Sequence, residues 1–137
     1  MKKYKQAIIP SVKTKNIKAN RKSVALYYQE NIAGKSVINK HLGIKIKFTK
    51  IGKYELSHGR AIYAKKVAVI ECLPLLLEIA VYNNFGARKP TDPASYCGYM
   101  NFKVHCFIDG KKECVRISCV LRTDGSLYYN HEISIKK

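Results

Sequence analysis

The stretch that decides the fold is Met100–Ile108, MNFKVHCFI, in which apolar and polar side chains alternate. Alternation with a period of two is typical of a β-strand that has one buried face. The other face of the predicted strand, which we expect to be turned away from the core, carries polar side chains. The apolar set is Phe102, Val104, Cys106 and Ile108, and the polar set is Asn101, Lys103 and His105.

Two more strands are predicted after this one. Asp109-Gly110 is a strong signal for a tight hairpin turn, and Glu113–Leu121 follows it as the returning strand. Thr123-Asp124-Gly125 predicts a second turn, and Leu127–Ile135 predicts a third strand. The C-terminal third is therefore predicted to be an antiparallel β-meander.

The segments before the meander are predicted to be mainly helical. Ser23–Asn31 has apolar side chains at helical spacing, and we expect this apolar face to continue through Val37, Ile38 and Leu42 to Gly43. A longer helical pattern covers residues 61–84. It contains Pro74, which lacks a backbone donor, so we predict a break near Cys72 and a fresh helix from Pro74.

Two segments depart from the helical pattern. Ile44, Ile46 and Phe48 alternate with lysines, which predicts a half-buried strand with a basic outer face. Residues 83–96 are rich in Gly, Pro, Asp and Ser and predict a loop. The whole pattern predicts an α+β fold, with N-terminal helices packed on one face of a C-terminal antiparallel β-meander.

The length of 137 residues fits a single domain. We predict that it covers residues 23–137. Residues 1–22 are rich in lysine and are predicted to form a basic N-terminal arm, or an edge strand around Lys5–Ile9. The arm is as consistent with a plain disordered terminus as with contacts to phosphate groups.

The charge balance is the strongest indication of function. The chain has 26 Lys+Arg against 9 Asp+Glu, a formal net charge of +17. Nucleic acid, an anionic membrane surface or an acidic protein partner commonly compensates such an excess. The five cysteines and four histidines show no zinc-type spacing, so no metal and no cofactor are predicted. No signal peptide or membrane span is expected, which predicts a cytoplasmic protein.

The histidines are the first candidates for chemistry on RNA. Cleavage of RNA without a metal needs a base for the ribose 2′-OH, an acid for the leaving 5′-oxygen and a cation for the phosphorane. His58, His131 and His105 are the candidate proton-transfer residues, with Tyr129 beside His131. The alternative is that these are ordinary polar residues of a loop and a sheet face. His41 is expected only to cap a helix C-terminus.

The predicted RNA contacts are basic or hydroxyl side chains near these histidines. Backbone N–H groups at a helix start favour bound phosphate, and an arginine fork adds to such a site. Tyr128 or Tyr129 is a candidate for base stacking, although tyrosines in strands more often pack in the core. The predicted RNA-binding residues are Ser57, Arg60, Lys65, Arg116 and Arg122.

Four segments together resemble a known family: residues 39–46 (NKHLGIKI), 55–60 (ELSHGR), 73–80 (LPLLLEIA) and 128–133 (YYNHEI). They are similar to the third large polyvalent protein-associated domain of phage and conjugative-element proteins, over roughly residues 34–135. That family looks related to the barnase–EndoU–colicin–RelE-like nucleases. The motifs are diffuse, and only residues 57–60 and the strand with Tyr129 and His131 carry over.

The resemblance implies N-terminal helices followed by a four-stranded antiparallel sheet whose concave face holds RNA. It also implies a metal-independent endoribonuclease, toxin-like and acting on tRNA, that an acidic antitoxin or immunity protein would inhibit. Two alternatives stay open from the charge alone. One is a non-catalytic nucleic-acid-binding module, and the other is a phage-encoded inhibitor that binds a host protein.

Overall fold

The computed structural model describes residues 11–12, 21–49 and 64–136, and it has the predicted α+β architecture. The sheet is curled and mostly antiparallel, and the short helices come before most of its strands in the sequence. The described helices are α1 (Arg21–Asn31), α2 (Ala64–Glu71) and α3 (Leu73–Ile79). The described strands are β1 (Ser11–Val12), β2 (Ser36–Asn39), β3 (Ile44–Lys47), β4 (Val81–Ala87), β5 (Tyr96–Ile108), β6 (Lys111–Arg122) and β7 (Leu127–Lys136).

The strands form one mixed sheet in the order β1-β5-β6-β7-β3-β2, and β4 also pairs with β5. The neighbours β5–β6, β6–β7, β4–β5 and β2–β3 are antiparallel. The pairs β1–β5 and β3–β7 are parallel. Strand β7 therefore lies inside the sheet, between β6 of the meander and β3 of the β2–β3 hairpin.

Several expectations are confirmed. Strands β5, β6 and β7 form the predicted meander, and β3 lies where alternation predicted a strand. Helices α2 and α3 are separated at Cys72, and Pro74 lies in the first turn of α3, where its missing donor costs nothing. Phe102, Val104, Cys106 and Ile108 are buried as predicted, whereas His105 is exposed.

Three expectations are wrong. Val37 and Ile38 belong to β2 and not to a continued helical face, because residues 40–43 turn the chain back into β3. Gly43 closes this turn by donating its N–H to the Asn39 carbonyl at 2.7 Å. The second helical region ends at Ile79, and β4 occupies part of the predicted loop. The sheet is also larger than the implied four strands and contains parallel pairs.

The core lies between the helices and one face of the sheet. Leu73, Leu76 and Leu77 of α3 are fully buried there. Asn39 is also fully buried, and its side-chain amide donates to the carbonyls of Leu77 and Ala80 at 2.7 and 2.8 Å. These bonds attach the β2–β3 hairpin to the C-terminal end of α3, where helix carbonyls lack partners.

None of the helices in the described ranges is long and apolar enough to cross a membrane.

Candidate nucleic-acid interface

The sheet face turned away from the helices, here called the outer face, is rich in basic and aromatic side chains. Alternation along each strand assigns the side chains to this face. Among the strand residues with described side chains, none of the outward ones is acidic. Its basic and aromatic members are Lys45, Lys47, Tyr99, Lys103, His105, Phe107, Lys112, Arg116, Arg122 and Tyr128.

Three of these residues form what we call the central cluster: Lys103, His105 and Arg116. Lys103 on β5 is paired directly with Arg116 on β6, and His105 is paired with Cys114. His105 and Arg116 are therefore diagonal neighbours, a relationship that places residues roughly 7–8 Å apart. Like charges directly opposite each other destabilise a sheet. A bound anion would relieve the repulsion between Lys103 and Arg116.

A second group, the Tyr128 cluster, consists of Lys47, Arg122 and Tyr128. The Arg122 guanidinium carbon lies 4.2 Å from the centre of the Tyr128 ring, and the Lys47 ammonium lies 5.6 Å from it. The cations come from β6 and β3, the strands on either side of β7. Both distances are within the range of cation–π attraction, so the ring helps to hold two positive charges together.

The turn between β6 and β7 adds an acidic residue beside this cluster. Asp124 accepts hydrogen bonds from the Ser126 hydroxyl and from the Ser126 N–H, the latter at 2.9 Å. These two hydrogen bonds, with smaller contributions from the charges of Arg122 and Lys47, lower the pKa of the Asp124 carboxyl. Asp124 is exposed, and its negative charge opposes that of any polyanion that binds at the Tyr128 cluster.

An open pocket of about 670 Å³ adjoins Tyr128. It lies between the end of α1 and the β2–β3 hairpin. Its lining contains three lysines, three uncharged polar residues, one alanine, one glycine and two aromatic residues. The lining residues are Gln29, Ala33, Gly34, Lys35, Ser36, Lys45, Lys47, Phe48, Thr49 and Tyr128.

The loop between β4 and β5 carries a separate aromatic contact. The Tyr99 hydroxyl donates a hydrogen bond to the Asp92 carboxylate, which also accepts the Lys89 N–H at 2.8 Å. The hydrogen bond from Tyr99 and, to a smaller extent, the one from the Lys89 N–H lower the pKa of the Asp92 carboxyl. The Lys89 ammonium lies 5.8 Å from the Tyr99 ring centre. This loop is thereby fastened to the edge of the outer face.

The predicted site residues fall into different places. Ser57, His58 and Arg60 lie outside the described residues. Lys65 is in α2 and His131 is in β7, but only their backbones are described. The structure brings Arg116 and His105 together in the central cluster, and Arg122 and Tyr128 in the second cluster.

His131 lies at an irregularity of β7. Ser118 pairs with Glu132, and the next residue of β6, Cys119, pairs with Tyr129. The backbone of Asn130 and His131 therefore forms a β-bulge, a feature that is over-represented beside active sites. The functional role of His131 stays a prediction.

Tyr129, the neighbour of Tyr128, points in the opposite direction. It is 2% exposed, and its ring lies 6.3 Å from Tyr28 and 5.9 Å from Phe48, measured between ring centres. Burial raises the pKa of its hydroxyl well above the usual value. This position favours packing over contact with RNA, and the predicted catalytic role remains a prediction.

His41 does not cap a helix, contrary to expectation. It lies in the turn between β2 and β3, and its Nδ1 accepts the Tyr82 N–H at 3.0 Å. This hydrogen bond joins the hairpin turn to β4. None of the five cysteines forms a disulfide, and Cys106 and Cys119 are buried. In the described segments, no three or more His, Cys, Asp or Glu side chains are grouped to hold a metal.

Sequence reasoning noted the basic face of β3 and the candidates Arg122 and Tyr128, but it did not place them together. Lys47 pairs with Tyr128 through the parallel contact of β3 with β7. About 80 residues separate these strands in sequence, and no local pattern signals such a pairing. The pocket could not be predicted for the same reason, because its lining combines the β2–β3 hairpin with Tyr128 of β7.

The fold and the outer face define a class: a small, strongly basic α+β domain with basic and aromatic side chains on one face of its sheet. The chain belongs to the large polyvalent protein-associated domain 3 family, whose model matches residues 15–129. Domains of this family are typical of phages and mobile elements. No curated protein and no solved structure matches the chain.

Proposed function

We propose that this protein binds RNA on the outer face of its sheet and cleaves it without a metal ion. The observation that carries the proposal is the outer face itself, where basic and aromatic side chains occur together and none of the outward strand residues with described side chains is acidic. Phosphate contacts supply most of the affinity of nucleic-acid binding, and aromatic rings add base stacking.

The dimensions of the outer face support a strand of RNA as the ligand. Arg116 of the central cluster and Arg122 of the Tyr128 cluster are both on β6 and lie six residues apart. At the rise of a β-strand this separation is roughly 20 Å. A single phosphate cannot contact both arginines, whereas an extended polyanion can.

The central cluster has the minimum chemistry for attack by the 2′-OH. His105 would accept the proton from the ribose 2′-OH as its oxygen forms a bond to phosphorus. Arg116 and Lys103 would stabilise the negative charge of the phosphorane. The bond to the 5′-oxygen then breaks, and an acid returns a proton to that oxygen. The products would be a 2′,3′-cyclic phosphate and a 5′-hydroxyl.

A second histidine would supply the acid in this scheme. His131, at the bulge of β7, and His58 are the predicted candidates. The resemblance to the barnase–EndoU–colicin–RelE-like nucleases is the reason for proposing a catalytic role, and tRNA is the proposed substrate. An acidic antitoxin or immunity protein would inhibit by covering the same basic face.

The test is incubation of the purified protein with total tRNA and EDTA, read on denaturing and native gels. We expect discrete fragments that end in a 2′,3′-cyclic phosphate. His105→Ala should slow their formation by about 100-fold, in the range of a lost general base. Lys111→Gln, at the exposed hairpin tip, serves as the control and should cleave as the unsubstituted protein does.

Two results would reject the catalytic part. One is cleavage that EDTA abolishes, and the other is unchanged cleavage in His105→Ala and in the double variant His58→Ala, His131→Ala. A non-catalytic RNA-binding module is the second candidate. It is favoured by the fact that, among the outward residues with described side chains, His105 is the only imidazole. It would give shifted but intact tRNA on the native gel.

A further inference from the structure

The pocket beside Tyr128 has the composition of a nucleotide site. Its volume of about 670 Å³ falls within the range of roughly 300–1,000 Å³ usual for small-molecule sites. Lys35, Lys45 and Lys47 supply positive charge, and none of the described residues that line the pocket is acidic. Tyr128 supplies aromatic surface. A ligand that is flat, aromatic and anionic matches this lining.

The pocket wall is fixed by backbone hydrogen bonds. Helix α1 ends at Asn31, and Gly34 then adopts a φ of +81°, which a glycine accepts without strain. The Gly34 N–H donates to the Phe48 carbonyl at 2.7 Å, and the Phe48 N–H donates to the Lys35 carbonyl at 2.9 Å. These bonds extend the β2–β3 ladder and hold Lys35 beside the pocket.

The floor of the pocket is attached to the core. Phe48 is 2% exposed, and its ring packs against Tyr129. The Tyr28 hydroxyl donates to the Thr49 carbonyl at 2.9 Å. The site therefore does not need to be assembled by a ligand, which reduces the entropic cost of binding.

The lysines have a regular arrangement along the rim. Lys45 and Lys47 are two residues apart on β3 and so project from the same face. Ser36, which follows Lys35, is paired with Lys47 across the hairpin. Lys45 and Lys47 of β3 and Lys35, which precedes β2, thus all line the pocket, and the Lys47 ammonium lies 5.6 Å from the centre of the Tyr128 ring. Phosphates that flank a bound base would lie near these lysines.

We propose that this pocket binds one unpaired nucleotide of the RNA, with its base against Tyr128 and the adjoining phosphates at Lys35, Lys45 and Lys47. The identity of the ligand as RNA rests on the proposed function. The base of a paired nucleotide is stacked inside a duplex and cannot enter the pocket. The protein therefore selects single-stranded RNA, through a site separate from the central cluster.

The test compares single-stranded RNA with a duplex of the same sequence by fluorescence anisotropy. All riboses carry 2′-O-methyl groups, which prevent attack by the 2′-oxygen, so that cleavage does not disturb the measurement. We expect the single strand to bind about tenfold more tightly, as one base stacked on an aromatic ring predicts. Tyr128→Phe should keep this preference and Tyr128→Leu should abolish it.

Lysine variants test the phosphate contacts. Lys45→Gln should lower the slope of log affinity against log salt by about 0.7 for single-stranded RNA. Lys111→Gln is the matched control and should leave the slope unchanged. Lys111 is nine residues from Val120, the partner of Tyr128, or roughly 30 Å along β6. Thermal unfolding of each variant verifies that the fold is retained.

The outcomes separate this inference from the proposed function. Equal affinity of the unsubstituted protein for both forms would overturn the pocket proposal and leave RNA binding intact. An unchanged single-strand preference in Tyr128→Leu would overturn it too, because the preference would then not come from a base stacked on Tyr128. Failure to bind either form would overturn the proposed function and the RNA ligand together.

Discussion

The guanidinium carbon of Arg122 lies 4.2 Å from the centre of the Tyr128 ring, and the two residues flank one tight turn. The Arg122 N–H donates to the Ser126 carbonyl at 2.9 Å, which closes this turn. Arg122 is thus restrained at both its backbone and its side chain. A charge held in place loses little conformational entropy when it binds a phosphate.

Arg122→Gln should therefore weaken RNA binding more than the loss of a mobile surface lysine does. We expect a decrease in affinity of about fivefold and a decrease in the salt slope of about 0.7 to 0.9. Anisotropy titrations between 50 and 200 mM salt measure both quantities. An unchanged slope would place the phosphate contacts elsewhere, and Lys111→Gln again provides the comparison.

Asp124→Asn should have the opposite effect. It removes the negative charge next to Arg122 and Lys47, while the amide oxygen can still accept the hydrogen bonds from Ser126. We expect affinity for RNA to increase about twofold to threefold at low salt, and the gain to shrink as salt screens it. Because the pKa of Asp124 is lowered, the difference should persist unchanged from pH 8 down to pH 5. Weaker binding of the variant would contradict the position assigned to the RNA.

Gly98 permits the close approach of β4 to β5. A Cβ added at Gly98 would lie 2.3 Å from the Phe85 ring and 2.5 Å from the Gly86 carbonyl oxygen. Gly98→Ala should therefore lower the free energy of unfolding by about 2 kcal/mol, as overpacking does. At Gly86 the nearest atom would be 3.7 Å away, so Gly86→Ala should cost much less. Urea unfolding of the two variants tests this contrast, and equal losses would refute it.

Buried thiols and hydroxyls should set the alkaline limit of stability. Burial raises the pKa of Cys119 and Tyr28 above their usual values. Burial and, to a smaller extent, the nearby Cys72 raise the pKa of Cys106. Unfolded cysteine loses its proton near pH 8.5 and tyrosine near pH 10. Above these values the folded state binds more protons than the unfolded state, so stability falls as pH rises.

We expect the free energy of unfolding to be insensitive to these groups from pH 6 to 8 and to decrease from about pH 8.5. Replacing both buried thiols (Cys106→Ala with Cys119→Ala) should shift the onset to about pH 9.5, where the tyrosines begin to act. Urea titrations followed by circular dichroism, with a reductant present, give the curve. An identical onset in the double variant would show that the thiols do not contribute.

The parts of the fold that the sequence predicts correctly are those with a strong local pattern. Strands β5 and β6 alternate over many residues, and Asp109-Gly110 marks the turn between them. The break at Cys72 follows from the chemistry of proline alone. These features depend on interactions between residues close in sequence, and a single chain reveals them.

The errors concern short strands that depend on distant partners. Strand β2 has only four residues, so Val37 and Ile38 fit a helical face as well as a strand. Strand β4 contains two asparagines, which favour turns, and it becomes a strand through its pairing with β5. Of the candidate site, the individual residues Arg116, Arg122, His105 and Tyr128 were predictable. Their grouping into clusters depends on the order of the strands in the sheet, and no local pattern around these residues reveals that order.

The position of β7 inside the sheet has a consequence for synthesis on the ribosome. It is the last strand of the sheet to be translated, yet both β6 and β3 of the β2–β3 hairpin pair with it. Until residues 127–136 emerge, the hairpin has no strand to join, and Tyr128 is not beside Lys47. A nascent or prematurely terminated chain thus lacks the Tyr128 cluster and the proposed nucleotide pocket, even though β5 and β6 already carry the central cluster. The proposed selection of single-stranded RNA therefore becomes possible only after the whole domain has been made.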